Sequence, residues 1–413
     1  MRPRVAVIHH SRRGTMRTLA ALAAEGARAG GAAVRLLRVA EDGPAAMAWP
    51  ERVADPQDVL WADGLVLATP TYFGNVSADF KRFLETTSPL WRKGLLADRI
   101  VTGMTSSTCT HAGREATLLA LHQTAFHWGS WVLGADPADP DFGPAGGNPY
   151  GVSADSSPDG AGADARCAAR SLGHRVADLT ARVGPSAAGP AGPAVPGPVK
   201  VTVVHCADDG RARLMAQECA AGARSVGARV RLRRVGDAGR RRGPVAATVT
   251  QEDVAWADAV VFGAPARLGC MAAPLLDFVQ SLASDGGRGP LWGKPASGFV
   301  TTALAHTGSE SALLAFHHLL LNSGAVVVPP GFTDQTVFDA GGNPYGTCDV
   351  RSASAAPTGA ALAAVAYQGR RTAMAGDLLR RPAAAPFPGP GERAGGNENT
   401  GNLGGLRDDH AAI

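Results

Sequence analysis

Two short β-branched runs, RVAVIHH at 4–10 and VTVVHC at 201–206, each break off at a small polar loop. Each then gives way to an Ala-rich amphipathic stretch, MRTLAALAAEGARAG and RLMAQECAAGARSVG, and then to a second apolar run, AAVRLLRV and ARVRLRRV. Alternation with period 2, then 3.6, then 2 predicts strand, helix and strand, twice in one chain. The parallel continues. WADGLVLATPTYFGN (61–75) matches WADAVVFGAPARLGC (256–270), and MTSSTCTHAGRE (104–115) matches VTTALAHTGSE (300–310), which sets His111 opposite His306. The hexapeptide GGNPYG stands at 146–151 and again at 341–346. A repeat of this size is a duplicated domain. Strands alternating with helices predict, for each copy, a parallel sheet covered by helices on both faces.

The 413 residues suit two domains rather than one core. We set the first at 1–182, a Pro/Gly/Ala linker at 183–198, the second at 199–382, and a tail at 383–413 that is expected to be disordered. With 45% hydrophobic and 18% charged residues the chain is globular, and a formal charge of +4 predicts neither nucleic acid nor membrane as partner. The six cysteines form no CxxC pair, so no structural metal and no disulfide framework is expected. No apolar run approaches the roughly 18 residues of a membrane span, and the N-terminus does not resemble a signal segment. The chain reads as cytoplasmic.

In a doubly wound sheet ligands lie beyond the carboxyl ends of the strands. Three loops of the first copy fall there. Ser11, Arg12, Arg13, Gly14, Thr15 and Met16 lead from a strand into a helix, where backbone N–H groups and the helix dipole suit a phosphate; an ordinary helix cap explains the same residues. Pro70, Thr71, Tyr72, Phe73, Gly74 and Asn75 end a buried strand with aromatics beside a glycine, which suits a flat heterocycle. Ser106, Ser107, Thr108, Thr110 and Gly113 form a third exit where small residues let backbone approach a ligand.

Taken in order, SRRGT, PTYFGN, LWRKG, SSTCTHAGRE and GGNPYG resemble the motifs of the flavodoxin-like superfamily, and of the WrbA-type NAD(P)H:quinone oxidoreductases in particular. The resemblance covers about 1–182 and, more loosely, 199–380. It implies two tandem flavodoxin-like α/β domains, each with a five-stranded parallel sheet, FMN bound non-covalently, and ping-pong transfer of hydride from NAD(P)H to a quinone-like acceptor. It places the three loops around FMN, and Trp91 where the family's tetramer walls a neighbouring flavin site. Tyr72, His111 and Trp128 are the residues expected to shape the substrate slot. A same-class alternative is an FMN electron carrier; a different-class one is a non-catalytic scaffold.

The second copy departs from the motifs. Ala207, Asp208 and Asp209 replace Ser11, Arg12 and Arg13; Ala266, Leu268 and Cys270 replace Thr71, Phe73 and Asn75; Gly286 stands opposite Trp91. Carboxylates repel a phosphate dianion, and Arg211 could offset part of that. The second copy is therefore expected to bind no FMN and to act as a built-in dimer partner, with further pairing of whole chains left open. Three simpler readings complete the expectations. Arg229, Arg231 and Arg233 line the solvent face of an edge strand. His9–His10 and His317–His318 point apart rather than share a metal. Cys109 is a small buried thiol.

Overall fold

The computed structural model describes residues 2–41, 49–156, 161–184, 195–206, 210–236, 246–283, 288–351 and 356–382. The expected tail and most of the linker, together with Ala207, Asp208, Asp209, Gly286 and the arginines at 240–242, lie outside the described residues. The first copy runs β1 (Arg4–His9), α1 (Thr15–Ala29), β2 (Ala33–Arg38), α2 (Pro56–Trp61), β3 (Gly64–Pro70), α3 (Ala78–Thr86), α4 (Ser88–Trp91), β4 (Ile100–Ser107), α5 (Arg114–Trp128), β5 (Trp131–Leu133), β6 (Gly151–Asp155) and α6 (Ala163–Val183). The second runs β7 (Lys200–Cys206), α7 (Gly210–Arg224), β8 (Arg229–Val235), β9 (Ala247–Thr248), α8 (Gln251–Trp256), β10 (Ala259–Arg267), β11 (Cys270–Met271) and α9 (Ala273–Gln280). It continues with β12 (Pro295–Thr302), α10 (Ser309–Asn322), β13 (Val326–Val327), α11 (Gln335–Asp339), β14 (Cys348–Val350) and α12 (Gly359–Leu379).

The central strands form because their residues are apolar on both sides. Val5 to Ile8, Leu65 to Ala68 and Val201 to Val204 are fully buried, as parallel strands under two helical layers must be. Sequence also fixes where some helices start. Asp55 and Asp58 bond each other's backbone N–H groups at the head of α2, with Pro56 in the first turn, and Thr250 and Asp253 do the same for α8. The helices that leave the carboxyl ends of β1 and β4 are different: α1 and α5 begin at Gly14 and Gly113, both left-handed, with no capping side chain.

The strand order is β2-β1-β3-β4-β5 in the first copy and β8-β7-β10-β12-β13 in the second, all parallel within a copy. The fifth strand is split. β5 pairs with the start of β4 and β6 with its end, with residues 134–150 looping out between them; β13 and β14 divide β12 in the same way. The two sheets are not separate. β5 and β13 pair antiparallel, Leu133 with Val326 and Val132 with Val327, so one sheet runs through both copies. Strands of the two copies therefore run in opposite directions, and their carboxyl ends lie at opposite poles.

Between α5 and α10 the seam is aromatic. Phe126 meets His317 edge-on at 4.8 Å, Trp91 meets Phe332 at 5.6 Å, and Trp91 Nε1 donates to the His127 carbonyl at 2.9 Å. Each GGNPYG tyrosine crosses this seam: Tyr345 lies 3.1 Å from His127 Nε2, and Tyr150 accepts from Asn322 Nδ2 at 3.1 Å.

Among the described residues β8 is covered only at its end by β9, and Arg229, Arg231 and Arg233 face α8, where Arg231 and Arg233 pair with Asp253 and Arg231 stacks on Trp256. Their charge is met within the protein. His9 and His10 turn to different acids, Glu51 on one side, Glu41 and Asp79 on the other. Cys109, expected to be buried, is exposed, because residues 108–112 form a turn that stands beyond the end of β4. No described helix is long and apolar enough to cross a membrane.

Candidate functional site

At the pole where β1, β3 and β4 end, the three loops come together. In the first, Ser11 is buried and its hydroxyl accepts from Gly14 N at 3.1 Å, while its carbonyl accepts from Trp49 Nε1 at 2.9 Å. Serine thus does the work of the expected cap inside the loop. Among the described residues no side chain caps the first-turn N–H groups of α1, and none pairs with the buried Thr15 hydroxyl. Uncapped N–H groups, a positive helix end and an unpaired buried hydroxyl are what a phosphate would satisfy. Met16 contributes only backbone, since its side chain is in the core. Arg12 and Arg13 are exposed; Arg12 lies 3.7 Å from Asp79 and over the Tyr72 ring at 6.0 Å.

The second loop is a tight turn in which Tyr72 and Asn75 exchange backbone hydrogen bonds of 2.9 and 3.0 Å. Phe73 sits at its tip with φ 51° and is 103% exposed, and Tyr72 is 39% exposed. A left-handed phenylalanine with no cover is strained and costs apolar hydration. Thr71 is held by Thr117, whose hydroxyl donates to it at 2.6 Å.

The third loop touches the second through glycine. At Gly113 φ is +87°, and a Cβ there would meet Gly74 Cα at 2.6 Å. Only glycine lets these two backbones close the floor of the site. The loop is braced from β6: Asp155 pairs with Arg114, Arg114 Nε donates to Ser107 Oγ at 2.6 Å, and Ser156 N donates to the Ser107 carbonyl at 2.7 Å. Ser106 is buried, whereas Thr108, Thr110 and His111 are exposed.

The structure gathers Ser11 to Met16, Pro70 to Asn75 and Ser106 to Gly113 at one pole. Trp128 is elsewhere: it lies at the far end of α5, 5% exposed, in the core shared with the second copy. Trp91 likewise lies in the seam.

The matching pole of the second copy carries a buried ion pair beside the head of α7. Arg211 stands where the first copy has Thr15, and Asp349 where it has Ala154. The two form a buried ion pair; Arg211 also donates to the Val350 carbonyl at 2.8 Å, and Asp349 accepts from Thr358 N at 3.1 Å. The cation expected to offset Asp208 and Asp209 is thus committed to a carboxylate of its own copy. Leu268 repeats the Phe73 conformation, with φ 52° and 104% exposure. The pairs Arg114–Asp155 and Arg211–Asp349 went unassigned in the sequence. Aligning the residues after GGNPYG, VSADS against TCDVR, sets Asp349 against Ala154 and holds the signal for the second.

Burial decides the titration of the histidines. It holds His9 down to about 4, and His122 and His317 in the seam down to about 3. All three are neutral imidazoles at neutral pH.

An α/β sheet of order 2-1-3-4-5 with a helix after its first strand defines a flavodoxin-like fold, here twice in one chain. The sequence pattern of the NADPH-dependent FMN reductase family matches residues 3–140 and again 199–337, and the chain belongs to that family. It is 34% identical over 193 residues to an NAD(P)H dehydrogenase (quinone) of Deinococcus radiodurans, covering 44% of this chain and 96% of the relative. With the protein of the same description from Acidithiobacillus ferrooxidans it shares 34% over 198 residues, covering 44% and 98%. Among solved structures it is similar to the WrbA-like flavodoxin of Agrobacterium tumefaciens, at 23% identity and a TM-score of 0.34 over 44% of this chain and 98% of that one.

Proposed function

We propose that the chain is an FMN-dependent NAD(P)H oxidoreductase acting on quinone-like acceptors, with one FMN in the first copy and none in the second. The observation that carries the reading is the uncapped head of α1 beside the unpaired Thr15 hydroxyl, in a family of FMN reductases. The first-turn N–H groups and Thr15 would hold the phosphate. The second and third loops, joined at Gly74 and Gly113, would flank the ring, with Tyr72 and His111 at its open side. Bound FMN would supply the capacity to accept two electrons from a nicotinamide and pass them to a quinone. The protein's part is to orient both substrates at the exposed edge of these loops. The curated relatives' description as NAD(P)H dehydrogenase (quinone) supports the acceptor class.

The closed Arg211–Asp349 pair supports assigning the second copy a structural part, that of a permanent partner. Phe73 and Leu268, bare at opposite poles, support further pairing of whole chains. The six cysteines are all free, which agrees with a reducing, cytoplasmic setting. The exposed Tyr72 edge also favours a second reading, an electron carrier with a protein partner.

Flavin released on denaturing the purified protein should amount to one FMN per chain. The flavin absorbance should bleach with NAD(P)H and return on adding a quinone. Two FMN per chain would overturn the assignment of the second copy. Bound flavin that NAD(P)H does not bleach would favour the carrier.

A further inference from the structure

Tyr150 is held by the other copy. Its hydroxyl accepts from Asn322 at 3.1 Å and its ring meets His318 edge-on at 5.6 Å, both residues belonging to α10. Tyr150 is also the residue that launches β6. From Gly151 to Asp155 that strand pairs with Gly103 to Ser107, and its far end carries the Asp155–Arg114 brace on Ser107. A short, hydrogen-bonded path thus leads from α10 of the second copy to the third loop of the first.

The mirror contact ends differently. Tyr345 meets His127 of the first copy, but β14 is three residues long, Ser309 stands where Arg114 would be, and Asp349 turns to Arg211. One seam contact leads into an open site, the other into a closed pair.

We infer that His318 and Asn322 are positioning residues for the first copy's third loop, acting through Tyr150, so that the second copy sets the shape of the flavin site without touching it. The inference rests on the FMN reading given above. A contact of this kind acts through a contiguous network, where changes along the path alter coupling between sites by about 2- to 30-fold.

The test is titration of the flavin-stripped full chain with FMN, followed by quenching of FMN fluorescence, with melting temperature recorded alongside. The double variant His318→Ala/Asn322→Ala should bind FMN about tenfold more weakly. His127→Ala, which breaks the mirror contact, should keep the parent affinity while losing comparable stability. Asn322→His should retain binding, because His127 already makes this contact to Tyr345. Should the double variant fail to fold, Tyr150→Phe removes only the hydroxyl and should weaken FMN about threefold, as expected for one ordinary hydrogen bond. Equal weakening by the two seam variants, or unchanged affinity in the double variant and in Tyr150→Phe, would overturn the inference. A parent chain that binds no FMN would overturn the functional reading, and this inference with it.

Discussion

Each copy commits one arginine at the carboxyl pole of its sheet, and the two commit it to different elements. In the first, Arg114 at the head of α5 ties Ser107 to Asp155, whose carboxylate is largely exposed, and leaves the head of α1 open. In the second, Arg211 at the head of α7 pairs with Asp349, which is fully buried. The difference teaches that the ion pair at this pole can move from one helix end to another while the sheet order and even the strained loop tips stay the same. It also separates two features that coincide in the first copy. Leu268 is bare and left-handed like Phe73 although its side chain is not aromatic, so the conformation of this turn does not depend on an aromatic tip.

The largest effect that would sharpen this comparison is expected at the paired loop glycines. Gly113→Val forces a β-branched residue to φ +87° against Gly74 and should weaken FMN roughly a hundredfold. Gly308→Val creates the same clash with Gly269, where a Cβ would lie 2.8 Å from Cα, and should leave flavin content unchanged. Flavin absorbance per chain decides it. Next comes the buried pair. Asp349→Ala removes a fully buried partner, strands Arg211 and should cost about 3–5 kcal/mol in urea unfolding, whereas Asp155→Ala opens Arg114 to the solvent that already reaches Asp155 and should cost less, about 1–2 kcal/mol. Similar costs for the two would break the contrast.

A third prediction concerns pH. His122 and His317 have folded pKa values near 3, below the unfolded value of 6.5, so the unfolded chain binds more protons between the two. The seam's contribution to stability should be full above pH 6.5 and be lost progressively as pH drops toward 3. Replacing both with leucine should reduce the fall of melting temperature between pH 6.5 and 4.5 while leaving the part that the buried His9 contributes; an unchanged slope would remove the seam as its source. The smallest effect belongs to the loop tips. Phe73→Ser and Leu268→Ser should each change stability by less than about 0.5 kcal/mol, as surface changes do. A concentration-dependent shift in sedimentation, present in the parent and lost in these variants, would assign the tips to chain pairing.

Much of the fold was legible because the repeat aligned long patterned elements: β1 with β7, α1 with α7, β3 with β10. The junction was not. Trp131 to Leu133 and Val326 to Val327 are too short to carry a periodicity, yet their pairing merges the two sheets. The split fifth strand escaped for the same reason. At the site, loop identities were legible from residue type and order, but roles inside the loops were not. Ser11 reads as a phosphate ligand and serves as a loop cap; Arg211 reads as a free cation and is neutralised by a residue far along the chain. Such pairings depend on which strand lies beneath which helix, and residue spacing does not encode that. Cys109 reads as buried because cysteine usually is, and the turn beyond β4 lifts it into solvent.

The antiparallel join between β5 and β13 is made of main-chain groups, and main-chain groups are common to every residue but proline. An edge of that kind tolerates drift in the side chains around it. Covalent tethering adds that the halves meet at a local concentration fixed by the chain and independent of expression level or dilution. Together these keep the two halves in register whatever side chains surround the join. Fusion along a backbone edge thus leaves each half room to change without losing the other.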